Sequence, residues 1–153
     1  MITKSAMNNN AEALLKIKQS LKNSQFLDSW KNGTKPCDEV IRWVGVVCGK
    51  GIVTTLRLRS MNLSGDQGRS NGCPAFGPPL PATSTRLRSR NCKGLRVLNL
   101  VNNSFSGNIL EFNKLRALKA IYVSMNNFSG EIPTGYFTKM VSYGLLHEDD
   151  FSN

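Results

Sequence analysis

Key positions of this chain recur after 23 residues, and that recurrence limits its fold more than any other feature of the sequence. Leu95, Leu118 and Val141 align, as do Leu100, Val123 and Leu146. Asn103, Asn126 and Asp149 form a further column, followed by Phe105, Phe128 and Phe151, and Gly107 matches Gly130. An earlier copy, VTTLRLRSMNLSG, runs from Val53 to Gly65. One such unit cannot bury its own apolar face, so units must stack on one another.

Each column has a physical reason. The pattern is L-x-x-L-x-L-x-x-N-x-L, that of leucine-rich repeats. The x-L-x-L-x segment has a period of two and makes a short strand with alternate residues buried. Asn stands where the backbone bends inward, and its amide both donates to and accepts from buried backbone groups. Phe covers the inside of the turn, Gly permits the reversal, and Pro133 stops ladder pairing.

The length of 153 residues suits one domain and is too short for a receptor with its own catalytic domain. Enzyme motifs are absent. The sole histidine is His147, and no G-x-G-x-x-G, phosphate-binding loop or kinase catalytic loop occurs. Four cysteines, Cys37, Cys48, Cys73 and Cys92, include no C-x-x-C pair, so no metal and no cofactor is expected. They read as two disulfides in an extracellular chain and as four thiols in a cytosolic one. No apolar run reaches the 18 or so residues of a membrane span, and Met1 to Asn10 lacks the apolar stretch of a secretory signal. Lys and Arg total 20 against 10 acidic residues, a balance of +10 that favours anionic partners.

The motif NNFSGEIP, from Asn126 to Pro133, resembles plant-specific leucine-rich repeats. Upstream, EALLKIKQSL (Glu12 to Leu21) reads as an amphipathic helix with Leu14, Ile17 and Leu21 on one stripe. Asn9 or Asn10 is placed to cap it, with Glu12 supporting the first turn. LDSW ending at Trp30, then Pro36–Cys37, then WVGVVC from Trp43 to Cys48 complete a series similar to the N-terminal cap of plant leucine-rich repeat receptor kinases. The wording of NSFSG from Asn103, EFNKLRALKAIY from Glu111 and GYFTKM from Gly135 is most like pollen receptor-like kinases.

The resemblance implies an α/β solenoid. A helical cap would span 11–51 after a disordered 1–10, followed by about four leucine-rich repeats over 52–153 with a short parallel β-sheet on the concave face. It also implies a Cys37–Cys48 disulfide, with Trp30 and Trp43 packed beside it, and structural roles for Asn103 and Asn126. Cys73 and Cys92 stand open between a second pair and two thiols. Asn103 follows Met61 by 42 residues rather than 23, and the surplus falls within 66–90, rich in Gly, Pro, Ser and Arg. This reads as an irregular insert. Gly144 replaces a strand leucine in the last repeat, and the signal peptide, membrane anchor and kinase of such receptors have no counterpart here, so a truncated relative is expected.

Function follows as expectation. Outward side chains of the strand ladder are Thr55, Arg57, Arg59, Val97, Asn99, Val101, Ala120, Tyr122, Ser124, Tyr143, Leu145 and His147. Of these, Arg57, Arg59, Asn99, Tyr122, Ser124 and Tyr143 are the candidate ligand-binding residues, because Arg and Tyr dominate interface energetics. The expected partner is a peptide or small protein, with a co-receptor ectodomain completing the site, on the outer face of the plasma membrane or in the apoplast. Candidate N-glycosylation acceptors are Asn32, Asn62, Asn102 and Asn127. Two other classes compete. One is a stand-alone secreted repeat protein binding wall polysaccharide or a wall enzyme. The other is a nucleic-acid binder using Arg86, Arg88, Arg90, Lys93 and Arg96; that cluster lacks interleaved aromatics and matches no nucleic-acid motif, so no nucleic acid is expected.

Overall fold

A computed structural model describes residues 4–66, 92–108, 115 and 117–130. The chain opens with helix α1 (Lys4–Ser20) and a 3-10 turn (Ser24–Leu27). Strands follow: β1 (Val46–Gly49), β2 (Ile52–Arg57), β3 (Ser64–Asp66), β4 (Val97–Asn99), β5 (Ser104–Asn108), β6 (Ala120–Tyr122) and β7 (Asn127–Ser129).

Helix α1 starts eight residues before Glu12, so the segment expected to be disordered is helical from Lys4 onward. Nothing between Lys4 and Ser20 breaks a helix, since neither Gly nor Pro occurs there. Asn9 and Asn10 are therefore interior rather than capping. Glu12 instead pairs with Lys16 one turn on, at 2.7 Å. The buried stripe is Ala13, Leu14, Ile17 and Leu21. Beyond the helix, Asn23 turns the chain in a left-handed conformation. Lys22 and Ser64 then exchange backbone hydrogen bonds, tying the helix exit to β3.

Two sheets carry the repeats. One has the order β1-β2-β4-β6, with β2, β4 and β6 parallel; the other is β3-β5-β7, all parallel. Register follows the sequence columns: Leu56 faces Leu98, which faces Ile121. These three, with Leu58, Leu100 and Val123, point into the core that also holds Phe105. Phe105 and Phe128 stack with ring centroids 6.3 Å apart.

The cap joins this ladder through an antiparallel β1–β2 hairpin whose turn is Lys50–Gly51. Gly45 makes the junction possible. Its φ is 73°, and a Cβ there would strike the Arg57 carbonyl. Arg57 N–H donates to Gly45 C=O at 2.7 Å. Within the cap, Trp30 and Trp43 are buried and stacked at 5.5 Å. Their indole N–H groups donate to Val44 C=O at 2.9 Å and to Thr34 Oγ1 at 2.8 Å. Cys37 and Cys48 are disulfide-bonded, their Cα atoms 5.7 Å apart. Cys92 is also disulfide-bonded. Residues 67–91 and 131–153 lie outside the described residues, and with them Cys73, most of the expected insert, Pro133 and the fourth repeat.

Candidate recognition surface

Alternation along β2, β4 and β6 sends Leu56, Leu98 and Ile121 inward, so the next residues face the other way. Those are Arg57, Asn99 and Tyr122, and the register places them side by side in one row across three strands. Arg57 is exposed, while Asn99 and Tyr122 are half-buried. A second row, Arg59, Val101 and Ser124, follows past the strand ends, where Ser60 N–H donates to Val101 C=O and Asn102 N–H to Ser124 C=O.

The second row is unevenly accessible. Arg59 is exposed, but Val101 and Ser124 are buried, as is Ala120, which pairs with Val97 at the start of the ladder. Their short side chains end near the backbone, so neighbouring strands about 4.8 Å away suffice to shut them from solvent. Ser124, 7% exposed, thus offers a partner little surface. Asn99 is committed in part: its Oδ1 accepts the Val101 N–H at 3.1 Å. Long side chains remain the accessible chemistry of this face. Arg57 and Arg59 have no ion-pair partner among the described residues. Tyr143, Leu145 and His147 lie outside the described residues.

Asn103 and Asn126 occupy the turn beside these rows. Asn103 Nδ2 donates to Leu58, Leu100 and Val101 carbonyls at 2.7, 2.9 and 3.2 Å. Its Oδ1 accepts the Met61 and Leu63 N–H groups at 3.2 and 2.9 Å. Asn126 repeats the arrangement, donating to Leu100, Val123 and Ser124 carbonyls and accepting from Phe105 N–H. Both amides are consumed by backbone.

One column escaped the sequence. Ser60, Asn102 and Met125, each just before a turn-back position, all have a left-handed φ of 55°. This conformation aims the following residue inward. Gly or Asn would signal it, but Ser and Met do not. Arg96 and Lys119 were likewise not singled out as ladder residues; both are exposed and immediately precede β4 and β6.

No group of three or more His, Cys, Asp or Glu side chains is placed to hold a metal ion among the described residues. No helix among them is long and apolar enough to cross a membrane.

The chain is similar to known proteins over most of its length. A leucine rich repeat N-terminal domain matches residues 7–49, and a leucine rich repeat matches 94–115. Pollen receptor-like kinase 2 of Arabidopsis thaliana is 37% identical over 138 residues, covering 89% of this chain and 18% of that protein. An inactive leucine-rich repeat receptor-like serine/threonine-protein kinase of the same plant is 39% identical over 124 residues, 80% of this chain and 15% of that protein. The chain thus spans under a fifth of these relatives. Among solved structures, the Arabidopsis BIR2 ectodomain superposes with a TM-score of 0.61 at 28% identity, covering 86% of this chain and 63% of that one. The receptor kinase HAESA, in complex with the peptide hormone IDA and the co-receptor SERK1, gives 0.60 at 26% identity, covering 89% and 20%.

Proposed function

We propose that this chain, which carries the N-terminal domain and repeats of plant receptor-like kinase ectodomains and most resembles those of pollen receptor-like kinases, is a non-catalytic recognition module. In this reading it is an α/β solenoid of about four repeats, acts on the outer side of the plasma membrane, and binds a peptide or small protein through its concave face. A co-receptor ectodomain completes the site. The relative crystallised with a peptide hormone and a co-receptor supports this kind of partner.

The observation that carries the reading is the row Arg57–Asn99–Tyr122. A guanidinium, an amide and a phenol stand on consecutive strands, outward from a core that does not need them. Arg59 adds a second cation beside the row, again with no ion-pair partner among the described residues. Arg and Tyr are the residue types that anchor interfaces, and the two arginines favour an acidic segment in the ligand. Few repeats bury little area, so binding by this chain alone is weak.

The test is an alanine scan of Arg57, Arg59, Tyr122 and Tyr143 in a complete ectodomain, read by affinity for synthetic acidic peptides and for partner ectodomains. Folded mutants with weakened binding are expected. Four folded mutants with undiminished binding would overturn the reading.

A further inference from the structure

Strand β1 ends its sheet: it pairs with β2 and with no other strand among the described residues. Its free side follows from the hairpin. Lys50 and Gly51 have φ of 53° and 74°, the left-handed pair of a two-residue turn, so the flanking Gly49 and Ile52 exchange their ladder hydrogen bonds. Alternation then points the N–H and C=O of Cys48 away from β2. Beyond the irregularity at Val47–Cys48, Val46 faces the same way. Its N–H donates to Trp43 C=O at 3.1 Å, while the neighbouring Gly45 C=O accepts from Arg57 next to it across the hairpin. Cys48 N–H, Cys48 C=O and Val46 C=O make no hydrogen bond among the described residues. A sheet edge with unpaired groups is a template for a further strand.

These groups border a cleft of about 510 Å³. Strand β1 and its turn form one wall, and the Pro36–Arg42 loop forms the other. The Cys37–Cys48 disulfide ties the walls together, and Asp38 Oδ1 holds the loop by accepting Val40 and Ile41 N–H at 2.8 and 3.0 Å. The cleft is therefore preformed, which lowers the ordering cost of binding. Its charges balance, with Asp38 and Glu39 against Arg42 and Lys50. Among the described residues, four of the six exposed large apolar side chains, Val40, Ile41, Val44 and Val47, fall within 40–47.

We propose that β1 is a docking edge for an extended peptide segment of a partner protein, which adds as a strand along this cleft. Main-chain groups of the segment bond to Cys48 and Val46, and its alternate apolar side chains cover Val47. Strand β1 has four residues, so the paired segment spans roughly 13 Å of extended chain. Two carboxylates and two cations line the cleft, so the occupant is uncharged or charge-balanced. A second copy of this chain fits poorly. The irregularity in β1 and the charge on Lys50 are features that keep sheet edges apart, and the Pro36–Arg42 loop stands opposite. The site uses neither Arg57 nor Arg59, so its failure leaves the concave-face reading untouched.

The test follows amide exchange at Cys48 by NMR in the oxidised full chain, with and without capped peptides that alternate Thr with Val, Ile or Phe. At least one peptide should slow Cys48 exchange by about tenfold. The same peptide N-methylated at every residue, which cannot pair as a strand, should give no slowing. Val47→Asp, at a side chain 38% exposed, should abolish the slowing at the same peptide concentration and leave the unfolding midpoint unchanged. The N-methylated arm uses the unchanged chain, so it decides whether or not that variant folds. No slowing by any peptide, equal slowing by the N-methylated form, or intact slowing in folded Val47→Asp would each overturn the proposal. Slow exchange without peptide in a chain that sediments as a dimer would also overturn it, and would give β1 to a second copy.

Discussion

Asn103 Nδ2 lies 2.7 Å from the carbonyl of Leu58, a residue 45 positions earlier in the chain. The same side chain accepts from Met61 and Leu63, so one amide fastens two successive turns of backbone. Asn103→Ala strips partners from several backbone groups at once, each worth about 1–3 kcal/mol when buried and unsatisfied. A loss of at least about 2 kcal/mol is expected in chemical denaturation. Asn126→Ala should act in the same way. Unchanged stability with lost ligand binding would reassign either residue to the binding surface.

Cys37 and Cys48 close a loop of sequence separation 11 around Trp43. In the chain-entropy model such a loop stabilises by roughly 2–3 kcal/mol. Cys37→Ser with Cys48→Ser should lower stability by that amount. Peptide mapping of unreduced secreted protein should recover the two as one linked species; two free thiols would contradict the assignment.

Trp43 combines a buried stack on Trp30 with an indole hydrogen bond to Thr34. Trp43→Ala should cost about 3–5 kcal/mol, as large core truncations do. Trp43→Phe keeps an aromatic ring and loses the donor, so a cost nearer 1 kcal/mol is expected. Equal losses in the two variants, measured by thermal unfolding, would show that packing does not matter there.

Asp38 accepts backbone N–H bonds from Ile41 and Val40, which hold its carboxyl below the usual value. A depressed folded pKa means the unfolded chain binds the proton more readily. The contribution is therefore present above the ordinary carboxylate range near pH 3.9 and is lost as pH falls through the lower folded value. An NMR titration should place the Asp38 midpoint below that of a model peptide, and Asp38→Asn should flatten this part of the acid-stability profile.

Asn103, Asn126, Phe105 and Phe128 are visible in the sequence because a period of 23 repeats them, and period is what a single sequence displays best. The core leucines follow from the same columns. The start of α1 does not, because a run of asparagines reads as caps when nothing shows the helix continuing through it. The left-handed turn at Ser60 and Met125 is hidden because tertiary context imposes it on residues with no preference for it. Burial of Ser124 and Val101 is hidden for a related reason. Alternation gives the face a residue points to, but access depends on the neighbouring strands and the length of the side chain.

The most direct measurement of the recognition surface is affinity for an acidic peptide ligand after Arg57→Glu with Arg59→Glu, in a complete ectodomain, with thermal unfolding followed in parallel. Both side chains are exposed and make no ion pair among the described residues, so the fold should tolerate their reversal. The account predicts an unchanged unfolding midpoint and affinity weakened at least tenfold, about 1.4 kcal/mol. A folded double variant that binds as tightly as the parent would contradict it.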